Sequence, residues 1–178
     1  MILSRLSTAF LLLAVLGLAL PGCTLLPEQK DKTKNWSAQR FYSEASAALR
    51  NKDYEEAIEY YEKLEARYPF GQYTMQAKLD LAYAYYKDEQ NEAALETCDR
   101  FIQLHPTSPY VAYAYYLKGV VNFNRPVSFL ERFVPTDTSQ RDPGSAADAY
   151  RDFGEVVNRY PDSVYAKDAR RRMVFLRN

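Results

Sequence analysis

From residue 36 onward, apolar side chains recur every three or four positions. Tyr54, Ala57, Ile58, Tyr61 and Leu64 make one such stripe, with Glu55, Glu56, Glu59, Glu62 and Lys63 between them. That period belongs to amphipathic helices. It predicts helices over about 37–51, 53–67, 73–87, 90–104, 110–123, 144–159 and 163–177. Asp53 followed three residues later by Glu56 has capping-box spacing at a helix start. Pro69, Pro106 and Pro161 each sit where a helix must already have ended. The first 22 residues follow another pattern: one charge, Arg5, precedes an unbroken apolar run from Phe10 to Leu20.

The helices repeat. When Tyr68-Pro69, His105-Pro106 and Tyr160-Pro161 are aligned, a tyrosine follows each proline by four residues (Tyr73, Tyr110, Tyr165). An alanine follows each by eight (Ala77, Ala114, Ala169), and another precedes each by twelve (Ala57, Ala94, Ala149). Larger apolar residues precede by eight (Tyr61, Cys98, Phe153) and by five (Leu64, Phe101, Val156). The prolines are 37 and then 55 residues apart, so the third unit carries an 18-residue insertion between Asn124 and Pro143. Two helices per unit pack closely only if small residues sit where their backbones meet. Ala45, Ala82 and Gly119 form that column on the first helices, opposite Ala57, Ala94 and Ala149 on the second.

This pattern resembles the tetratricopeptide repeat, with a 37-residue period where about 34 is usual. Phe41 takes the slot of the consensus tryptophan, while Trp36 precedes the first helix as a staple. The expected fold is all-α: a right-handed α-solenoid of about 3.5 helix hairpins. Its units are 37–69, 70–106, 107–161 (with an insert over 125–143) and a partial fourth, 162–178. The first helices line the concave side of such a stack. Counting from the small column, the inward positions are Tyr42, Gln76, Leu79, Tyr83, Tyr86, Tyr113, Tyr116, Val120 and Phe123. A tyrosine-rich groove suits an extended peptide or a partner helix, because each ring offers large area at small entropic cost. Packing between units is the competing role for any single ring.

Composition narrows the chemistry. The 178 residues include 23 basic and 23 acidic side chains, one histidine, two cysteines and six glycines. A neutral chain argues against a nucleic-acid binder, and scattered glycines leave no phosphate-cradling loop. One histidine and two distant cysteines do not make a familiar zinc site, and no cofactor motif is present. His105 stands in the slot of Tyr68 and Tyr160, which points to packing; Cys98 stands in a buried column, which points to an inert thiol. The helical carboxylates fall at solvated positions, so neither an acid–base pair nor a nucleophile is expected, and the chain reads as a non-enzyme.

The leader ends in Leu20-Pro21-Gly22-Cys23, which resembles a bacterial lipobox. That implies a signal peptide over 1–22, cleavage before Cys23, and covalent N-palmitoyl and S-diacylglycerol groups on that cysteine. Thr24, rather than aspartate, after the cysteine implies outer-membrane anchoring facing the periplasm. Residues 23–36 then read as a lipidated tether. The mature chain has 156 residues and, with Arg5 removed, a net charge of −1.

Three stretches exceed a generic repeat: Arg67-Tyr-Pro-Phe-Gly-Gln-Tyr73, Leu79-Asp-Leu-Ala-Tyr-Ala-Tyr-Tyr-Lys87, and Arg159-Tyr-Pro-Asp-Ser-Val-Tyr165 with Val174-Phe-Leu176. With the lipobox and the insert ending Arg141-Asp-Pro143, they resemble the BamD family of outer-membrane assembly lipoproteins, also described as ComL-type competence lipoproteins. The resemblance implies a scaffold in β-barrel assembly. Its partners would be the barrel-forming subunit through its POTRA domains, the accessory lipoproteins, and unfolded outer-membrane protein segments. The groove residues would touch substrate, with Phe70-Gly71 shaping a turn at its edge. Family members usually continue through further helix pairs, whereas this chain stops at Asn178; Val174 also replaces the small residue of Ala45, Ala82 and Gly119. Another periplasmic repeat scaffold, serving cell-wall or secretin assembly, is the alternative. The insert, with Phe129, Leu130, Phe133 and Val134, reads equally as a lid or as a short helix packed on its own hairpin.

Overall fold

A computed structural model describes residues 31–125 and 143–177. The chain divides into two units, 1–35 and 36–178. Cys23, the leader, most of the expected tether, and the insert with Phe129, Leu130, Phe133 and Val134 lie outside the described residues. Within the first unit, Asp31 closes a short turn: its carboxylate accepts from the Thr33 N–H at 2.9 Å and the Thr33 hydroxyl at 2.6 Å.

The second unit contains seven described helices: α1 (Ala38–Arg50), α2 (Tyr54–Arg67), α3 (Thr74–Lys87), α4 (Asn91–Leu104), α5 (Val111–Asn124), α6 (Pro143–Arg159) and α7 (Ala166–Arg177). No strand occurs among the described residues. Each helix packs on the next, and the first helices of successive hairpins also touch, α1 with α3 and α3 with α5. The architecture is a tetratricopeptide-like solenoid. Most boundaries fall within one residue of the periodicity. Only α7 begins clearly late, because Ser163 N–H donates to the Tyr160 carbonyl (3.0 Å) and Ala166 N–H to the Ser163 carbonyl (3.1 Å), making turns first.

The columns do the packing. Ala45, Ala82, Ala57, Ala94 and Ala149 are all fully enclosed, as are Tyr61, Cys98 and Phe153 beside them to within 1 %. Gly119 shows why its column must be small. A Cβ built there would stand 2.6 Å from both Cδ1 and Cε1 of the Phe153 ring, so the ring occupies the space of the missing methyl. Burial pushes the Cys98 thiol well above its ordinary range, as expected of an inert core thiol. His105 lies against Phe101 with ring centroids 5.2 Å apart.

The hairpin turns of the first two units are copies. Asp53 N–H donates to the Ala48 carbonyl and Gln90 N–H to that of Tyr85, both at 2.9 Å. This six-to-one bond closes a Schellman cap with Lys52 (φ 64°) and Glu89 (φ 62°) in the left-handed region. In the third unit, Arg125 turns extended (φ −61°, ψ 123°), and the chain departs into the insert. The start of α1 is stapled as expected. Trp36 lies 5.2 Å from Phe41 and 5.1 Å from Tyr60, and its carbonyl accepts from the Tyr68 hydroxyl at 2.8 Å. Half of the expected capping box forms at α2. Asp53 accepts from Glu56 N–H at 3.2 Å, but the Glu56 carboxylate instead accepts from the Tyr60 hydroxyl at 2.7 Å.

Candidate functional site

In a curved stack the elements that approach across units lie on the inside of the bend, which places α1, α3 and α5 along one groove. Tyr42, Gln76, Tyr86 and Tyr116 are half-buried there, and Tyr83 is 36 % exposed. The tyrosines are held by specific bonds. Asp80 sits at the centre, accepting from the Gln76 amide at 2.8 Å, the Tyr42 hydroxyl at 3.1 Å and the Tyr61 hydroxyl at 3.4 Å. Burial pushes the Asp80 carboxyl above the ordinary aspartate range, although these three donors oppose the shift. Burial and the facing carboxylate together push Tyr42 up to about 12. Further along, the Tyr116 hydroxyl donates to Asp168 at 2.7 Å, and the Tyr86 hydroxyl accepts from the Asn124 amide at 2.8 Å. The rings of Tyr42, Tyr86 and Tyr116 are therefore fixed by hydrogen-bonded hydroxyls.

Two expectations need correction. Leu79 is fully buried and packs with Ala82, Ala94, Cys98 and Leu117, so it supports the groove from beneath and offers no contact surface. Its repeat equivalents Tyr42 and Tyr116 carry hydroxyls that seek a polar partner at the surface, whereas leucine has none and sinks into the core. Tyr113 also works mainly as packing: it joins the same core cluster, lies 5.3 Å from Tyr165, and burial drives its phenol far above the ordinary range. Val120 and Phe123 are half-buried walls resting on the α6–α7 core. Phe70 is 90 % exposed on the α2–α3 connector, beside Gly71, whose φ of 140° favours glycine.

The sequence reading missed several residues of the groove. Tyr73 stacks on Tyr42 at 5.2 Å and Tyr165 on Tyr116 at 5.0 Å, so these two post-proline tyrosines roof the first helices that precede them. The signal was present: the two pairs share one register once the insertion is discounted. Asp80 and Asp168 gave no such signal, because they are not repeat equivalents.

Among the described residues no group of three or more histidine, cysteine, aspartate or glutamate side chains is placed to hold a metal. No helix among them is long and apolar enough to cross a membrane. A groove of hydrogen-bonded rings on stacked hairpins defines a helical-repeat scaffold. The chain belongs to the YfiO outer membrane lipoprotein family, whose profile matches residues 34–178. It is 44 % identical over 169 residues to outer membrane protein assembly factor BamD of Neisseria meningitidis serogroup B (strain MC58), covering 93 % of this chain and 63 % of that one. Similarity to BamD of Neisseria gonorrhoeae is 45 % over the same coverage, and to BamD of Vibrio cholerae 38 % over 88 % of this chain and 64 % of that one. The chain thus spans less than two thirds of the length of these relatives.

Proposed function

We propose that this protein is a non-enzymatic lipoprotein subunit of the machinery that assembles β-barrel proteins in the outer membrane. Acyl groups on Cys23 tether it to the periplasmic face; several chains give the firm anchorage that a single one does not. The groove of α1, α3 and α5 receives an extended segment of an unfolded outer-membrane protein, whose alternating apolar side chains match a row of rings spaced along the stack. Other faces meet the POTRA domains of the barrel-forming subunit and the accessory lipoproteins. The observation that carries this reading is the family match over nearly the whole repeat domain, joined to a groove of immobilised tyrosines.

The test is a photo-crosslinking residue at Tyr83 in the full lipoprotein, irradiated in intact envelopes, with the same residue at exposed Lys52 as a control. Capture of barrel-derived segments from Tyr83 alone is expected. Equal capture at both positions, or none at Tyr83, refutes the groove. Detergent purification that recovers no barrel subunit with POTRA domains refutes the assembly role.

A further inference from the structure

The groove changes chemistry at α7. Continuing the repeat register, the column of Tyr42, Leu79 and Tyr116 reaches Arg171, that of Gln76 and Tyr113 reaches Asp168, and that of Tyr83 and Val120 reaches Phe175. Helix α7 carries Lys167, Arg170, Arg171, Arg172 and Arg177 against the single acid Asp168. That acid is already matched: it accepts from Arg172 Nε at 2.6 Å and the Tyr116 hydroxyl at 2.7 Å. Arg172 is committed as well, its guanidinium lying 5.0 Å from the centre of the Phe123 ring. Lys167 and Arg171 are exposed, and Phe175 is 63 % exposed although its ring meets Phe123 at 5.7 Å. Lys167, Arg171 and Phe175 are four residues apart along one helix, so they share a face. Two cations and a ring thus extend a neutral aromatic groove.

We infer that the α7 stretch of the groove selects an acidic, aromatic-bearing extended segment: one ring seats on Phe175, another further along on Tyr83, and side-chain carboxylates bind at Arg171 and Lys167. An arginine fork matches a carboxylate in geometry as well as charge, and the alternation of an extended chain presents rings and acids in turn. Neutrality of the whole chain argues against a polyanion as the natural occupant, since that would call for a broad basic face. The inference rests on the groove reading above and adds the charge of the occupant and the residues that read it.

Calorimetry on the full lipoprotein in neutral detergent tests it. The probe is a decapeptide alternating tyrosine with glutamate, acetylated and amidated so that it lacks a terminal carboxylate; its partner has glutamine for glutamate. The glutamate peptide is expected to bind about tenfold more tightly. Arg171→Glu should abolish that preference, and Arg171→Gln, a milder change should the first variant misfold, should reduce it. Phe175→Ser should weaken both peptides alike. Equal affinities, or a preference unchanged in both Arg171 variants, overturn the inference. So does a glutamine peptide that recovers full affinity once its terminal carboxylate is freed, because that assigns the cations to a chain end. Tyr83→Ser separates the two levels. If it weakens both peptides while no charge preference exists, the groove survives and its charge selectivity fails; if neither peptide binds, both fail.

Discussion

Gly119 and Gly154 lie on the two helices of the same hairpin, α5 and α6, and the structure predicts opposite outcomes for the same substitution. Replacing a helical glycine by alanine ordinarily stabilises by about 1 kcal/mol, because the unfolded chain loses freedom. At Gly154 the new methyl meets only Met173 Cε at 3.8 Å, an ordinary contact, so the gain should be kept. At Gly119 the methyl would stand 2.6 Å from two carbons of Phe153, a ring with no exposed surface and no room to swing. Overpacking of this kind costs about 1–3 kcal/mol, which outweighs the helical gain and leaves Gly119→Ala less stable by about 1 kcal/mol. For a domain of this size that corresponds to a melting temperature lower by about 2–4 °C, with Gly154→Ala higher by a similar amount. Circular-dichroism melts of the two variants beside the parent decide the matter. Phe153→Leu should relieve the clash, giving a favourable coupling of about 0.5–3 kcal/mol with Gly119→Ala in a double-mutant cycle. A Gly119→Ala protein that melts at or above the parent, or a cycle with no coupling, would refute the Phe153 ring's occupation of the methyl's space as the reason for a glycine at this position.

Three further outcomes follow from the same geometry. Glu89→Gly should stabilise by about 0.5–1 kcal/mol in urea melts, since it removes a side chain from the left-handed region while keeping the Schellman bonds. Lys118 bridges Asp99 at 2.6 Å and Asp152 at 3.3 Å, and the Asp152 side chain is only 2 % exposed. Lys118→Ala should therefore cost about 3–5 kcal/mol near neutral pH and less in acid, where Asp152 can take up a proton. Asp80 holds its proton above the ordinary aspartate value of 3.8, so the folded state binds more protons than the unfolded across the window just above that value. Its contribution to stability therefore declines as pH rises through that window. Asp80→Asn should flatten the decline in pH-dependent melts, leaving the smaller slope due to Asp152, which is shifted the same way by burial.

The repeat was legible in the sequence because it is written in short-range terms. Helical period, proline stops and the spacing of small residues all act within one hairpin, and they located six of the seven helices to within about a residue or two of their ends. The inert Cys98 and the packed His105 followed from the same columns, and the staple at Trp36 from its place just before the first helix. What each groove residue does was less legible, because a column states which direction a side chain faces and not what fills the space in front of it. Leu79 and Tyr116 are repeat equivalents, yet one is enclosed and the other meets Asp168 across a hairpin boundary.

Local spacing, then, determined by itself that these residues form paired helices with small contacts between them, since backbone geometry and side-chain volume settle that pair by pair. Only the stacked structure decided which tyrosines keep an open ring, that Asp80 gathers donors from three helices' worth of neighbouring side chains, and that Tyr73 and Tyr165 roof the groove. Those outcomes depend on residues tens of positions apart meeting across units, and burial and hydrogen bonding are properties of that meeting.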